Sequence, residues 1–585
     1  MSNRKLSVLI LLVTFISSAM WAKDHKLAPD LSTDNSSDQV SVIVQFKQTP
    51  GEAHKNKIRS KGGSVDSDLS LVKAVSGKVP KNRLNELADD PDVAYISPDR
   101  SLSGSLNNGA PAVNAPYAWA LGWDGSGMAV AVIDSGIQDG KKNANADLQL
   151  ANSSSSRVVY SQSWVNDAAG TQDAYGHGTN VAGIIGGNGS SSTGPQYTKT
   201  FKGIAPNVNL VNLRVLDASG MGTDSSVIAA IQTAIQLKNT YNIRVINLSL
   251  GRPVVESYTV DPLCQAVEAA YQAGIVVVVA AGNDGRDNSA GTSGYATITA
   301  PGNDPYVITV GAMKSMGTPT RADDLIASYS SKGPTAIDHI VKPDLVAPGN
   351  RQVSLSSPGA TLPTTYTGNV VAMSYYHNGN NSKASSAYFT LSGTSMATAV
   401  VSGAAADLLE AQPSLTPDQV KARLMKTAYK VFPQYSSVTD AGVTYTSQYD
   451  IFTIGAGYLD LQAALASTDV APVNLTAKSP AASYDSASQS VYLLQDNSAV
   501  WGGSAVWGGS AVWGGSVFVG GNSAVWGGSF LGGSSAVWGG SAVWGGSAVW
   551  GGSSTSGFSA VWGGSAIWGG STDATESLSI AINGE

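Results

Sequence analysis

Four short segments carry residue types able to move a proton and attack a carbonyl. Ala129–Gly136 (AVAVIDSG) is an apolar run that ends in the carboxylate of Asp134, with Gly136 placed for a sharp exit. Tyr175–Gly183 (YGHGTNVAG) sets His177 between two glycines, which lets backbone or ligand come close to an imidazole. Leu391–Ala406 puts Ser395 at the head of a run of small residues. A serine at a helix start sits beside free amides and the positive end of the helix. Val276–Gly285 brings an apolar run out at Asn283, whose amide can donate to an oxygen that develops negative charge. Each alone has a plain structural reading: a strand-end cap for Asp134, a packed histidine, an N-cap serine, a turn asparagine.

These residues need a rigid frame, and the chain supplies a βα pattern from about Pro111 to Ser467. Charge-free apolar runs recur at 128–133, 208–213, 245–250, 275–281 and 307–310, with helical stretches at 225–238 and 264–273 between them. Such runs suit strands buried on both faces of a parallel sheet. The expected fold is α/β, a doubly wound, mostly parallel sheet, with active residues at the carboxyl ends of strands. Cys264 falls in the apolar periodicity of its helix and reads as core.

Taken together and in order, Asp134, His177, Asn283 and Ser395 resemble the subtilisin-like serine protease (subtilase) family. The resemblance spans roughly 111–467 and includes Asn114–Trp119, Val341–Gly349 (VKPDLVAPG) and Gly455–Asp460. It implies that His177 takes the proton of Ser395, that Asp134 holds the imidazole, and that Asn283 with the Ser395 amide binds the oxyanion. It also implies that Leu248, Ser249, Leu250, Gly251, Ala280, Ala281 and Gly282 flank an extended peptide that pairs as an added strand. The α/β-hydrolase order is excluded, because no histidine follows His377. One departure is Ala399, where the family usually has proline; alanine is the better helix former, so a straighter helix is expected there. The chemistry needs no cofactor. The family admits calcium as a structural ion, but no D-x-[DN]-x-[DN]-G loop is present.

The flanks differ from this centre. Arg4, Lys5 and the apolar run Leu6–Ile16 read as a secretory signal over 1–22. Within 23–108, residues 40–100 read as a small α+β unit: a strand at 40–46, a helix at 52–61, a strand at 71–75, a helix opened by Pro80 and a strand at 93–96. By the same resemblance this is an inhibitor-type propeptide, an intramolecular inhibitor cut between Asp99 and Gly109. The catalytic domain is expected over 109–468, a linker over 469–495, a repeat region over 496–571 and a tail over 572–585. SAVWGG begins at Ser498, Ser504, Ser510, Ser523, Ser535, Ser541, Ser547 and Ser559, and SAIWGG at Ser565. An even period puts every tryptophan of an extended chain on one face. A repetitive β-coil, a surface that binds cell-surface or polysaccharide partners, and a flexible tail all fit.

Composition bounds the function classes. The 585 residues carry 35 Lys+Arg against 42 Asp+Glu, a net charge of −7, and no basic block, which disfavours nucleic acid as a partner. One cysteine excludes a disulfide framework and a multi-cysteine zinc site. Export without disulfides suits a bacterial secreted protein whose partners are protein or peptide substrates.

Overall fold

The computed structural model of the chain describes residues 26–28, 31, 36–69, 73–98, 109–139, 145–151, 153–289, 291–379, 383–440, 442–473, 476–485, 490–494, 516–519, 522–526, 537–538 and 574–585. The expected signal segment and the 99–108 cleavage region lie outside them. The chain divides into two compact units, 1–104 and 105–585.

In the first unit β1 (Gln39–Phe46), β2 (Ser64–Leu69), β3 (Ala74–Pro80) and β4 (Val93–Pro98) form an antiparallel sheet in the order β2-β3-β1-β4. Helices α1 (Glu52–Ser60) and α2 (Leu84–Ala88) place Ile58, Leu84 and Leu87 against Val42, Val44 and Val75 in one small core. The third strand begins later than the pattern suggests. Pro80 closes it and also caps a 3₁₀ turn (Lys81–Arg83) that leads straight into α2, so the expected helix through Leu84, Leu87 and Ala88 follows it. Strand β2 escapes sequence reading because its pattern is polar and largely exposed.

The second unit is built on an eight-stranded sheet. Its strands are β5 (Ala129–Asp134), β6 (Val158–Ser163), β7 (Asn209–Arg214), β8 (Ile243–Leu248), β9 (Val276–Ala280), β10 (Ile308–Lys314), β11 (Leu325–Ile326) and β12 (Leu345–Pro348). The order is β11-β10-β9-β8-β5-β7-β6, with β12 also on β10; every pairing is parallel except β10 with β11. From β5 the chain goes to the edge strand β6 and returns through β7 beside β5. It then runs outward on the other side from β8 to β11, so β5 lies where the strand order reverses, the place where α/β sheets put their sites.

Alternation along β5 divides the core. Ala129, Ala131 and Ile133 face α3 (Asp224–Tyr241) and α4 (Pro262–Gln272), whose starts are capped by the side chains of Thr223 and Asp261. Val130 and Val132 face the other layer, which holds α5 (Thr394–Ala411) and the helix that starts at His177 and ends at Gly186. Helix α5 is buried along almost its whole length and runs unbroken through Ala399. Its small residues permit the close approach: a Cβ on Gly403 would lie 2.6 Å from Ile204 Cβ.

Packing also extends the unit past residue 468. Ala471, Ala477, Ala482, Ile580 and Ile582 join the main core, so the stretches read as linker and tail are partly interior. In the repeat region, 516–519 pairs antiparallel with 522–526, and Trp526 pairs with Trp538 in a parallel register. The rest of that region lies outside the described residues.

Candidate active site

The site is assembled where β5 ends and two helices begin. The carboxylate of Asp134, 1% exposed, faces His177: Nδ1 lies 2.8 Å from Oδ1 and 3.0 Å from Oδ2. This contact requires the helix start to press against the strand end. Gly178 allows it, since a Cβ there would stand 2.3 Å from Gly136 O and 3.1 Å from Asp134 Oδ1.

Two residues not singled out in the sequence hold this join. Buried Asp173 accepts from the backbone amides of Tyr175 (3.2 Å), Gly176 (2.7 Å) and Thr179 (2.8 Å), so it caps the helix that carries His177. Ser135 donates to Asp173 Oδ1 at 2.8 Å and accepts from the Gly178 amide at 2.9 Å, which ties β5 to that helix. The available signal was an aspartate just ahead of a helix start. Burial opposes charge on His177, but the Asp134 carboxylate, with Asp173 behind it, outweighs that and raises its pKa above the ordinary value.

Ser395 is the second residue of α5, which packs against the His177 helix. Gly393 precedes it at φ +144°, a conformation that side chains disfavour. The Ser395 hydroxyl donates to the Ser249 carbonyl at 3.1 Å, and the Ser395 carbonyl accepts from Ser249 Oγ at 2.9 Å. The imidazole is therefore not its hydrogen-bond partner in this resting arrangement. A turn about the Cα–Cβ bond releases it, and resting catalytic contacts commonly tighten only when substrate binds.

Asn283 follows β9 and is pinned through its carbonyl: Oδ1 accepts from Thr394 N at 2.9 Å and Thr394 Oγ1 at 3.1 Å. Its amide is thereby directed away from Thr394. Thr394 Oγ1 also accepts from the Gly282 amide at 3.2 Å, so one threonine locks both loops together.

A cleft of about 200 Å³ opens beside these groups. Ser249, Leu250, Gly251, Ala280 and Gly282 line it, together with Thr299, Asp284 and Arg252. Leu248 and Ala281 do not: the first points into the core as the last residue of β8, and the second is fully buried behind Thr299, whose amide donates to its carbonyl. Strand alternation turns Leu248 inward, and Ala281 is the first residue after β9. Arg252 fixes the rim through Asp224 (2.9 Å) and Asp261 (2.8 Å). Cys264 is buried beside Asn303 with its thiol pKa pushed up, which suits a packing role. Among the described residues no three or more His, Cys, Asp or Glu side chains gather to hold a metal ion, so no place for calcium follows from side-chain clustering there.

The model of the subtilase family matches residues 125–457, more than half of the chain. The chain belongs to the subtilase family. It is a serine-type endopeptidase with the α/β subtilisin fold. Serine protease AprX of Bacillus subtilis is 33% identical over 420 residues, which span 69% of this chain and 86% of that protein. Subtilisin E of the same species is 34% identical over 402 residues, covering 67% and 86%. An extracellular serine proteinase of a Thermus species is 33% identical over 381 residues, covering 62% and 73%. The subtilase thus acts on protein or peptide substrates. Among its described residues no helix is long and apolar enough to cross a membrane.

Proposed function

We propose that this subtilase is a secreted endopeptidase made as a zymogen, in which Asp134, His177 and Ser395 form the triad and Asn283 with the Ser395 amide forms the oxyanion hole. The observation that carries the reading is the His177 Nδ1 contact with both oxygens of buried Asp134, made on a helix packed against the one that Ser395 heads. With Nδ1–H held by the carboxylate, Nε2 is the neutral acceptor that general-base catalysis requires. The substrate lies extended along Leu250–Gly251, whose backbone groups have no partner among the described residues. Its side chain enters the cleft beside Ala280 and Gly282.

Attack by Ser395 Oγ forms a tetrahedral oxyanion stabilised by Asn283 Nδ2 and a first-turn amide of α5. His177 returns its proton to the leaving amine, an acyl-enzyme remains, and water repeats the cycle to free the second product. Residues 23–108 act as the linker and inhibitor-type propeptide; the antiparallel sheet of the described residues among them, with its own core, supports an autonomous folding unit. The tryptophan repeats serve as a surface for cell-surface or polysaccharide partners. Ser395→Ala should abolish casein hydrolysis, labelling by a fluorophosphonate and propeptide release. Retained hydrolysis in that variant overturns the assignment. Deleting 496–571 should spare hydrolysis and remove binding to cells or polysaccharide; lost hydrolysis would place the repeats in the catalytic machinery.

A further inference from the structure

The last residues of the sequence fold back onto the catalytic unit in a site built for them. Helix α6 (Ala574–Asn583) leads into Gly584-Glu585, which lie past the helix end. Leu578 packs against the main core, and Ile580 and Ile582 are buried in it. The backbone is gripped residue by residue. Ser392 N donates to Ala581 O at 2.9 Å, the Asn369 amide donates to Ile582 O, and Arg351 Nη1 donates to Asn583 O at 3.0 Å. Asn350 pairs with Glu585 in both directions, its Nδ2 to the carbonyl at 3.3 Å and its Oδ1 from the amide at 3.0 Å.

The site also selects side chains. Glu585 has a fully buried carboxylate whose Oε1 accepts from the amide and hydroxyl of Ser328 and from Arg286 Nη2 at 3.4 Å, while Lys314 Nζ stands 3.9 Å from Oε2. Gly584 has φ +63°, and a Cβ there would lie 2.5 Å from Ser392 Oγ and 2.6 Å from Asn350 Oδ1. The anion is buried among Arg286, Lys314 and two donors of Ser328. Arg286 also pairs with Asp440 at 2.8 Å, so removal of the Glu585 charge costs the Ser328 donors their acceptor more than it strands the arginine.

The receiving residues are the roots of the two catalytic loops. Arg286 follows Asn283 by three positions, and Ser392 precedes Ser395 by three. Asn350 follows Gly349, whose carbonyl accepts from Gly393 N at 2.9 Å. We propose that segment 578–585 is a tethered intramolecular ligand that locks the Asn283 and Ser395 loops in register, so that the site reaches full turnover only when its groove is filled. This rests on the roles given above to Asn283 and Ser395. The chain before the repeats is anchored on the same unit, through Ala482 N to His339 O at 2.8 Å and Ser479 Oγ to Asp344 Oδ1 at 2.6 Å. The chain is therefore anchored on the catalytic unit on both sides of the repeat region.

Docking is tested apart from catalysis. In full-length Ser395→Ala protein, a site for a sequence-specific protease is inserted between Asp573 and Ala574 and cut. The released 574–585 peptide should co-elute with the body in gel filtration, and Glu585→Gln or Gly584→Val should let it separate. A wild-type peptide that elutes free overturns the proposal, whatever becomes of the protease reading. Locking is tested in active protein: Glu585→Gln should lower kcat roughly ten-fold with KM nearly unchanged, a coupling of ordinary size. Synthetic 574–585 peptide added to protein lacking that segment should restore kcat. Should the truncated protein fail to fold, Glu585→Gln carries the test. An unchanged kcat in that variant refutes the lock and leaves the segment a passive cover.

Discussion

Removing the Asn283 side chain tests the electrostatic core of the mechanism. Its carbonyl is held by two donors of Thr394, at 2.9 Å and 3.1 Å, so its amide is oriented before substrate arrives. A donor of that kind needs no reorganisation as charge develops on the substrate oxygen. One such donor is worth about 2.7–4 kcal/mol in the transition state, or ~10²–10³ in kcat. Asn283→Ala should therefore lower kcat by that factor and leave KM within about threefold, because the ground-state carbonyl gains little from the bond. Asn283→Asp keeps the acceptor for Thr394 but sets a negative charge where negative charge develops, so it should fall below the alanine variant. Thr394→Val removes the Oγ1 links to Asn283 and to the Gly282 amide (3.2 Å) while the Thr394 amide bond remains. The loss of about 1 kcal/mol predicts a roughly five-fold lower kcat. Steady-state kinetics on a chromogenic peptide read all three. If Asn283→Ala keeps kcat within threefold of wild type, or if the loss falls wholly in KM, the oxyanion role is wrong.

Four further outcomes follow from the structure. Because the His177 pKa is raised and only neutral imidazole accepts the serine proton, the acidic limb of kcat/KM should have its midpoint above 6.5, and Asp134→Asn should shift any residual limb to lower pH. The raised folded value also means that this pair stabilises the fold below the unfolded histidine pKa and that the gain is lost as pH rises through the folded value, which urea titrations at several pH values will read. Gly178→Ala forces a methyl against Gly136 O, 2.3 Å away, so it should destabilise by about 1–3 kcal/mol and depress kcat by parting Asp134 from His177; a normal melting temperature with normal activity would contradict the packing argument. Asp344 is buried between Lys342 (2.7 Å) and Lys421 (3.1 Å), and although burial opposes its charge, the two lysines hold its pKa below the ordinary carboxylate value. Its contribution is present above the unfolded pKa and fades as pH falls through the folded one. Asp344→Asn should lose about 3–5 kcal/mol in denaturant unfolding near neutral pH, and a loss under 1 kcal/mol would count against that network.

Much of the frame was legible because it is local. Charge-free runs such as 128–133 and 275–281 suit strands covered on both faces, and the structure has β5 and β9 there. The glycines beside His177 could be read as positions of close approach, and Gly178 is one. What stayed hidden depends on partners remote in the chain. Asp173, Ser135, Arg252 and Thr394 are ordinary polar residues until folding brings their donors within hydrogen-bond reach. The burial of Leu248 and Ala281 stayed hidden for a like reason: position along a strand is local, whereas the layer that covers each face is not.

The order of Asp134, His177, Asn283 and Ser395, the parallel-sheet pattern and the Trp-rich repeats belong to the sequence by itself, because residue type and period are properties of the chain. The contact of Asp134 with His177, the resting hydroxyl turned to Ser249 and the seat of Glu585 among Arg286, Ser328 and Lys314 were decided only in three dimensions. The reason is that hydrogen bonds and buried charges act over a few ångströms, and no spacing along a 585-residue chain states which distant atoms will come that close.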